Sequence, residues 1–245
     1  MLEVKNVTKK YGNFLANDNI SFTVPEKSIS LLVGPNGAGK STILKSIMGL
    51  LRYQGEIVLN GESTISPAAK QKLAYVPEFP QMYSLLTVYE HMEYIARVYK
   101  LHDWQEDANN LLSRFEMLDN KDKFGGALSK GMQQKLSICT AMLHKPQFIL
   151  FDEPMIGLDP HAIKEVKNLF YELKENECSL LISTHILDTV DDLWNRVEIM
   201  DHGKIAASMS HEELKAAGKS LEKYFFEITE QGQFESSEPE IAEVL

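Results

Sequence analysis

Apolar positions along the chain fall into three textures. Near the N-terminus they alternate with polar ones. Leu2, Val4 and Val7 open a short strand, and Ile20, Phe22 and Val24 pattern a second that spans Phe14 to Val24. Gly55 to Gly61 reads as a further strand with a turn, so the early chain is expected to be partly antiparallel. Elsewhere the apolar residues run continuously: Leu31-Leu32-Val33, Leu73 to Val76 (stopped by Pro77), Phe148 to Phe151, and Ser179 to Ser183. Continuous runs suit strands covered on both faces, as in a parallel sheet. Arg196 to Met200, the turn Asp201-His202-Gly203 and Lys204 to Ala207 predict a hairpin.

The third texture is helical. From Thr87, the residues Val88, Met92, Ile95, Ala96 and Tyr99 share one face, and Trp104, Ala108, Leu111, Leu112 and Phe115 share another. A helix is expected around Gly131 to Leu143, and Pro160 starts one that runs to about Lys174. The predicted fold is α/β, with a mostly parallel sheet, an N-terminal antiparallel β subdomain and a helical insertion subdomain over residues 80–140. Beyond Leu221 the composition turns acidic, with Glu227, Glu230, Glu235, Glu238, Glu240 and Glu243. Residues 227–245 therefore read as an acidic C-terminal tail behind a domain of residues 1–226, with the last dozen residues weakly ordered.

Composition narrows the class. A chain of 245 residues fits one large α/β domain. Its net charge of −10 argues against a general nucleic-acid binder, so anionic ligands must be held by local sites. Cys139 and Cys178 lie far apart without metal-ligand spacing and read as buried thiols in a reducing compartment. No apolar run approaches the ~18 residues of a membrane span, and the N-terminus has no signal-peptide core. A cytoplasmic protein is expected.

One stretch carries specific chemistry. Gly34-Pro35-Asn36-Gly37-Ala38-Gly39-Lys40-Ser41-Thr42 sits between a predicted strand and a predicted helix, and has the form G-x-x-x-x-G-K-[ST] of a phosphate-binding loop. Glycines let successive N–H groups point at phosphate oxygens, and the helix that follows adds its partly positive end. Lys40 is placed to reach the β- and γ-phosphates of a nucleoside triphosphate, and Ser41 to ligate Mg²⁺. This makes the core that of a P-loop NTPase. Asp152 and Glu153 end a buried strand, at the edge of a parallel sheet where ligands gather. Asp152 suits a water-mediated Mg²⁺ contact and Glu153 the polarising of an attacking water. His185 ends a neighbouring strand at the same edge, within reach of a γ-phosphate, and Tyr11 precedes a turn from which its ring could stack on a base.

These motifs together resemble the ATP-binding subunit of an ABC transporter over nearly the whole chain. The resemblance implies that Tyr11 stacks on adenine, that residues 34–42 are the Walker A loop, and that Asp152 and Glu153 are the Walker B aspartate and the catalytic carboxylate. His185 matches the switch histidine, and Gly157-Leu158-Asp159 the loop that signals across a dimer. Ser129, Lys130, Gly131, Met132 and Gln133 occupy the signature position, where Ser129 and Gly131 would meet the γ-phosphate held by a second subunit, while Lys130 either adds a cation near that site or projects into solvent. Lys130 and Met132 stand where the pattern has Gly and Gln, and Glu78 stands where it has a Mg²⁺-touching Gln. Both departures resemble a single-domain branch, commonly exporters, that works with a separate integral membrane permease. The resemblance thus implies an ATPase on the inner face of the cell membrane, paired as a homodimer or heterodimer. The alternatives are a single-domain ATPase of a soluble process such as cofactor assembly, and a nucleotide-gated subunit that does not hydrolyse. Glu153 and His185 argue against the latter.

Overall fold

The computed structural model describes residues 1–187 and 193–235. The chain begins with β1 (Leu2–Tyr11) and β2 (Phe14–Val24), followed by β3 (Ile29–Val33), α1 (Lys40–Ile47), β4 (Gln54–Leu59) and β5 (Glu62–Ser63). Next come α2 (Pro67–Lys72), β6 (Leu73–Val76), α3 (Val88–Val98), α4 (Trp104–Arg114) and α5 (Lys130–Met142). The described chain finishes with β7 (Phe148–Asp152), α6 (Pro160–Glu175), β8 (Ser179–Thr184), β9 (Arg196–Asp201), β10 (Lys204–Ser210), α7 (His211–Ala216) and α8 (Leu221–Glu235).

Two sheets result. The first is antiparallel, in the order β2-β1-β4-β5. The second, in the order β10-β9-β3-β8-β7-β6, is parallel except for β10. Helices α3, α4 and α5 lie between β6 and β7 in the chain, as the helical periodicity implied. Alternate residues of the parallel strands serve two cores. Leu31, Val33, Ile149 and Phe151 pack with α3 to α6, while Leu32, Phe148 and Leu150 pack with α1 and the antiparallel sheet. Burial on both faces is why these strands read as unbroken apolar runs.

Some elements differ from expectation. The first strand is longer than its apolar residues suggest, because the register shifts between Val4 and Val7, where Asn6 has a φ of 52°. That irregularity resets the alternation and returns Val7 to the core. Helix α7 was not anticipated, although Ser210 and Glu213 form a capping box at its start. Helix α8 carries regular structure through Glu235, so the boundary expected at residue 227 falls inside a helix. Residues 236–245 of the expected tail lie outside the described residues. Cys139 and Cys178 are free and buried, and burial pushes both thiols up from their ordinary range. Among the described residues no helix is long and apolar enough to cross a membrane.

Candidate nucleotide site

The parallel register assembles the site. Val33 pairs with Thr184, and Ser183 with Asp152, so the chain leaves β3, β8 and β7 along one edge of the sheet. Residues far apart in sequence, Gly34, His185 and Glu153, therefore emerge side by side.

The loop after β3 is braced by backbone it closely approaches. A Cβ at Gly34 would stand 2.3 Å from the Met200 carbonyl oxygen. At Gly39, where φ is +101°, one would stand 2.5 Å from the Ala16 carbonyl oxygen. Neither position admits a side chain. The Gly203 N–H donates to the Ala38 carbonyl at 3.1 Å, and the buried Asn17 amide donates to the Gly39 carbonyl at 3.2 Å. Thus the β9–β10 turn and β2 both hold the loop, and nothing in the loop's own sequence names Asn17 or Gly203 as its supports.

The cradle fits a polyphosphate. No side chain caps α1, and its first turn holds no acid, whereas Thr87, Ser129, Asp159 and Ser210 cap α3, α5, α6 and α7. The first N–H groups of α1 are left for an anion. The loop bounds a cleft of about 420 Å³, lined by Tyr11, Phe14, Ala16, residues 36–42, Glu78 and Glu153. Tyr11 and Phe14 pair across the β1–β2 turn and both are exposed, giving the cleft two aromatic faces where the sequence singled out one. Lys40 is buried, with Nζ donating to the Gly34 carbonyl at 2.7 Å and lying 3.5 Å from Glu153 Oε1.

Asp152 is the hub of a polar network. Its Oδ1 accepts from Ser41 Oγ at 3.0 Å and from Ser183 Oγ at 2.6 Å, and its Oδ2 accepts from Tyr75 OH at 3.0 Å. Ser41 and Asp152 form a hard-oxygen pair of the kind Mg²⁺ takes alongside waters and phosphate. Among the described residues no group of three or more His, Cys, Asp or Glu could hold a metal ion. Tyr75 and Ser183 were not foreseen, since their link to Asp152 depends on strand neighbours. Burial, followed by the charge of Asp152 and the bond to it, pushes the Tyr75 phenol well up, so it stays a donor. Tyr75→Phe is expected to lower stability by about 1–2 kcal/mol through loss of this charge-assisted bond, measured by urea unfolding. An unchanged midpoint would refute the assignment.

Glu153 follows β7 with a φ of 48°, which is unusual for a non-glycine residue. Its N–H donates to the Ser183 carbonyl at 3.1 Å, and its Oε1 lies 2.8 Å from His185 Nδ1. The structure therefore brings Lys40, Ser41, Asp152, Glu153 and His185 into one continuous network, with Glu78 on the wall of the same cleft.

Glu78 is pushed up from the ordinary 4.5, first by burial and then by the charges of Asp152 and Glu153, while Lys40 and His185 oppose the shift. A carboxyl raised on folding stabilises fully below its unfolded value, and that contribution is lost as pH rises through the folded one. Glu78→Gln is accordingly expected to melt higher than the parent near about pH 7 and to lose its advantage as pH falls toward 4.5. Thermal denaturation across that range checks it, and a gap independent of pH would refute it.

The signature residues stand elsewhere. Ser129 caps α5, accepting from the Met132 N–H at 3.3 Å, Lys130 is exposed, and the Gln133 side chain donates to the Leu128 carbonyl at 3.3 Å. None of Ser129, Lys130, Gly131, Met132 or Gln133 lines the cleft of its own chain. Asp159 also lies outside it, as the N-cap of α6.

Comparison with known proteins agrees with this geometry. A family profile described as "ABC transporter" matches residues 17–156. The "ABC-type transporter ATP-binding protein EcsA" of Bacillus subtilis (strain 168) is 34% identical, covering 94% of this chain and 97% of its own. The "Lipopolysaccharide export system ATP-binding protein LptB" of Haemophilus influenzae is 32% identical, covering 87% of this chain and 92% of its own. A solved "ATP binding subunit of ABC transporter" superposes with a TM-score of 0.87 at 32% identity, covering 94% of this chain and 99% of the other.

Proposed function

We propose a function from one premise: the chain belongs to the ABC transporter family as an ATP-binding subunit, and it binds and hydrolyses ATP. Membership implies a membrane permease as partner. The finer reading is that the chain energises export through a separate permease, attached to the inner face of the cell membrane, and that it works as an ATP-closed pair of subunits. The export system named for one relative supports the direction. The observation that carries the chemistry is the single network that joins Lys40, Glu153 and His185 to Ser41 and Asp152 through Ser183.

In this reading the N–H groups of residues 34–42 and Lys40 hold the phosphates, and Tyr11 with Phe14 offers the base a stacking surface. Ser41 and Asp152 would hold Mg²⁺, which would supply charge neutralisation at the phosphates. Glu78 adds a third oxygen donor on the same wall. His185 anchors Glu153 on Oε1, leaving that carboxylate oriented to align a water in line with the γ-phosphorus and to take its proton. Lys40 and His185 then face the charge that develops in transfer. The second phosphate wall comes from Ser129, Lys130, Gly131, Met132 and Gln133 of the other subunit, at the start of α5.

Affinity purification of the tagged chain from detergent-solubilised membranes of its native cell tests the transport reading. An integral membrane protein is expected to co-purify and to raise ATP turnover. Recovery of soluble partners alone would replace this reading with a soluble assembly ATPase.

A further inference from the structure

Between Glu153 and α6 the chain runs Pro154-Met155-Ile156-Gly157-Leu158-Asp159. Three contacts fasten this loop to the first turns of α5. The buried Gln134 amide donates to the Pro154 carbonyl at 3.5 Å. Gly131 packs so closely that a Cβ there would stand 2.9 Å from the Gly157 carbonyl oxygen. The Lys135 ammonium lies 2.9 Å from Asp159 Oδ2.

The third contact differs in kind. Lys135 has a side chain only 11% exposed, and a second acid, Glu116, stands 3.5 Å from its Nζ. Its stem is buried while its acids stay about half exposed, at 49% for Asp159 and 61% for Glu116, so the ammonium is fixed at the surface end of a packed stem. Asp159 has two duties at once. Its Oδ1 accepts the Ala162 N–H at 2.9 Å, capping α6, while its Oδ2 meets Lys135. Both bonds hold the Asp159 carboxyl below its usual range. One carboxylate thus joins α5, α6 and the loop that leaves Glu153. Lys135 does not line the cleft of its own chain.

We propose that Lys135 is a positioning residue: by gripping Asp159 it locks the loop behind Glu153 to the helix start at Ser129, so the two move as one body. The inference rests on the two-subunit reading above. In a closed pair, Ser129 of a subunit faces the nucleotide of its partner, while Glu153 serves its own. The grip therefore links the two sites through a single chain. A phosphate engaged at the start of α5 sets the placement of Glu153 on the far side of the same subunit. The coupling runs through packed contacts between rigid elements, not through a flexible linker.

The test uses the full chain and steady-state ATP hydrolysis. Lys135→Met is expected to lower kcat about tenfold through misplacement of Glu153, with KM for ATP changed less than about twofold. Lys135→Arg, which keeps the charge, is expected to recover most of that loss. Asp159→Asn retains a good N-cap but drops the charge, and is expected to reproduce the Lys135→Met effect. It carries the same test if Lys135→Met fails to fold. The double variant is expected to be no slower than either single one, since both remove one interaction. An unchanged kcat, a loss carried by KM, or losses that multiply in the double variant would each overturn the proposal. Size-exclusion chromatography of Glu153→Gln with ATP separates the two levels. Absence of an ATP-dependent dimer overturns the two-subunit reading and the coupling with it. A normal dimer beside an unaffected Lys135→Met overturns the positioning role alone.

Discussion

Glu153→Gln is expected to lower ATP turnover by about 10²–10⁴-fold while leaving nucleotide binding intact. The substitution keeps the shape of the side chain and its acceptor oxygen, so the contact with His185 at 2.8 Å has a partner still. What it removes is the proton acceptor. It also removes a buried negative charge 3.5 Å from Lys40, which frees the ammonium to serve phosphate alone. Binding should therefore hold or tighten as hydrolysis stops, and an ATP-bound dimer should accumulate. Single-turnover phosphate release together with equilibrium binding of a fluorescent ATP analogue checks both halves. Phosphate release at the parent rate would remove Glu153 from the reaction.

Lys40→Met is expected to act on both quantities. The ammonium lies 3.5 Å from Glu153 Oε1 and is buried beside the loop, where it contacts the carbonyls of Gly34 and Pro35. Methionine fills much of the lysine stem's volume, so the fold should survive while the charge is lost. Removing it leaves Glu153 with His185 as its remaining side-chain partner among the described residues, and takes a donor from the phosphates in ground and transition states alike. A loss of about 10²–10³-fold in kcat is expected, of the size seen when one charge-stabilising donor is removed, with ATP affinity down at least about tenfold. The same two assays separate it from Glu153→Gln. If Lys40→Met bound ATP as tightly as the parent, the phosphate role of Lys40 would be wrong.

Much of the fold could be read from the chain because its cues are local. The β7 and β8 runs were legible as buried strands, since both faces of each strand are covered and no polar residue interrupts them. The phosphate loop was legible because its glycines answer to backbone geometry within a few residues, as the φ of +101° at Gly39 illustrates. Helix α7 was missed although Ser210 and Glu213 offered a local sign, and the β1 irregularity was missed because Asn6 adopts positive φ without a glycine to announce it.

The supports of the site belong to another category. Tyr75 on Asp152, Asn17 on the Gly39 carbonyl, and Lys135 on Asp159 join residues from different elements. No period or spacing encodes them. The sequence by itself determined which residues could do the chemistry: a loop that cradles phosphate, a strand ending in Asp152 and Glu153, and a histidine after the next strand. Only the tertiary structure decided which of those residues meet and what holds them there. The reason is physical. Backbone conformation follows from side chains a few positions away, whereas a contact between strands depends on their order and register. Those are set by the packing of two cores at once, a property of the whole chain.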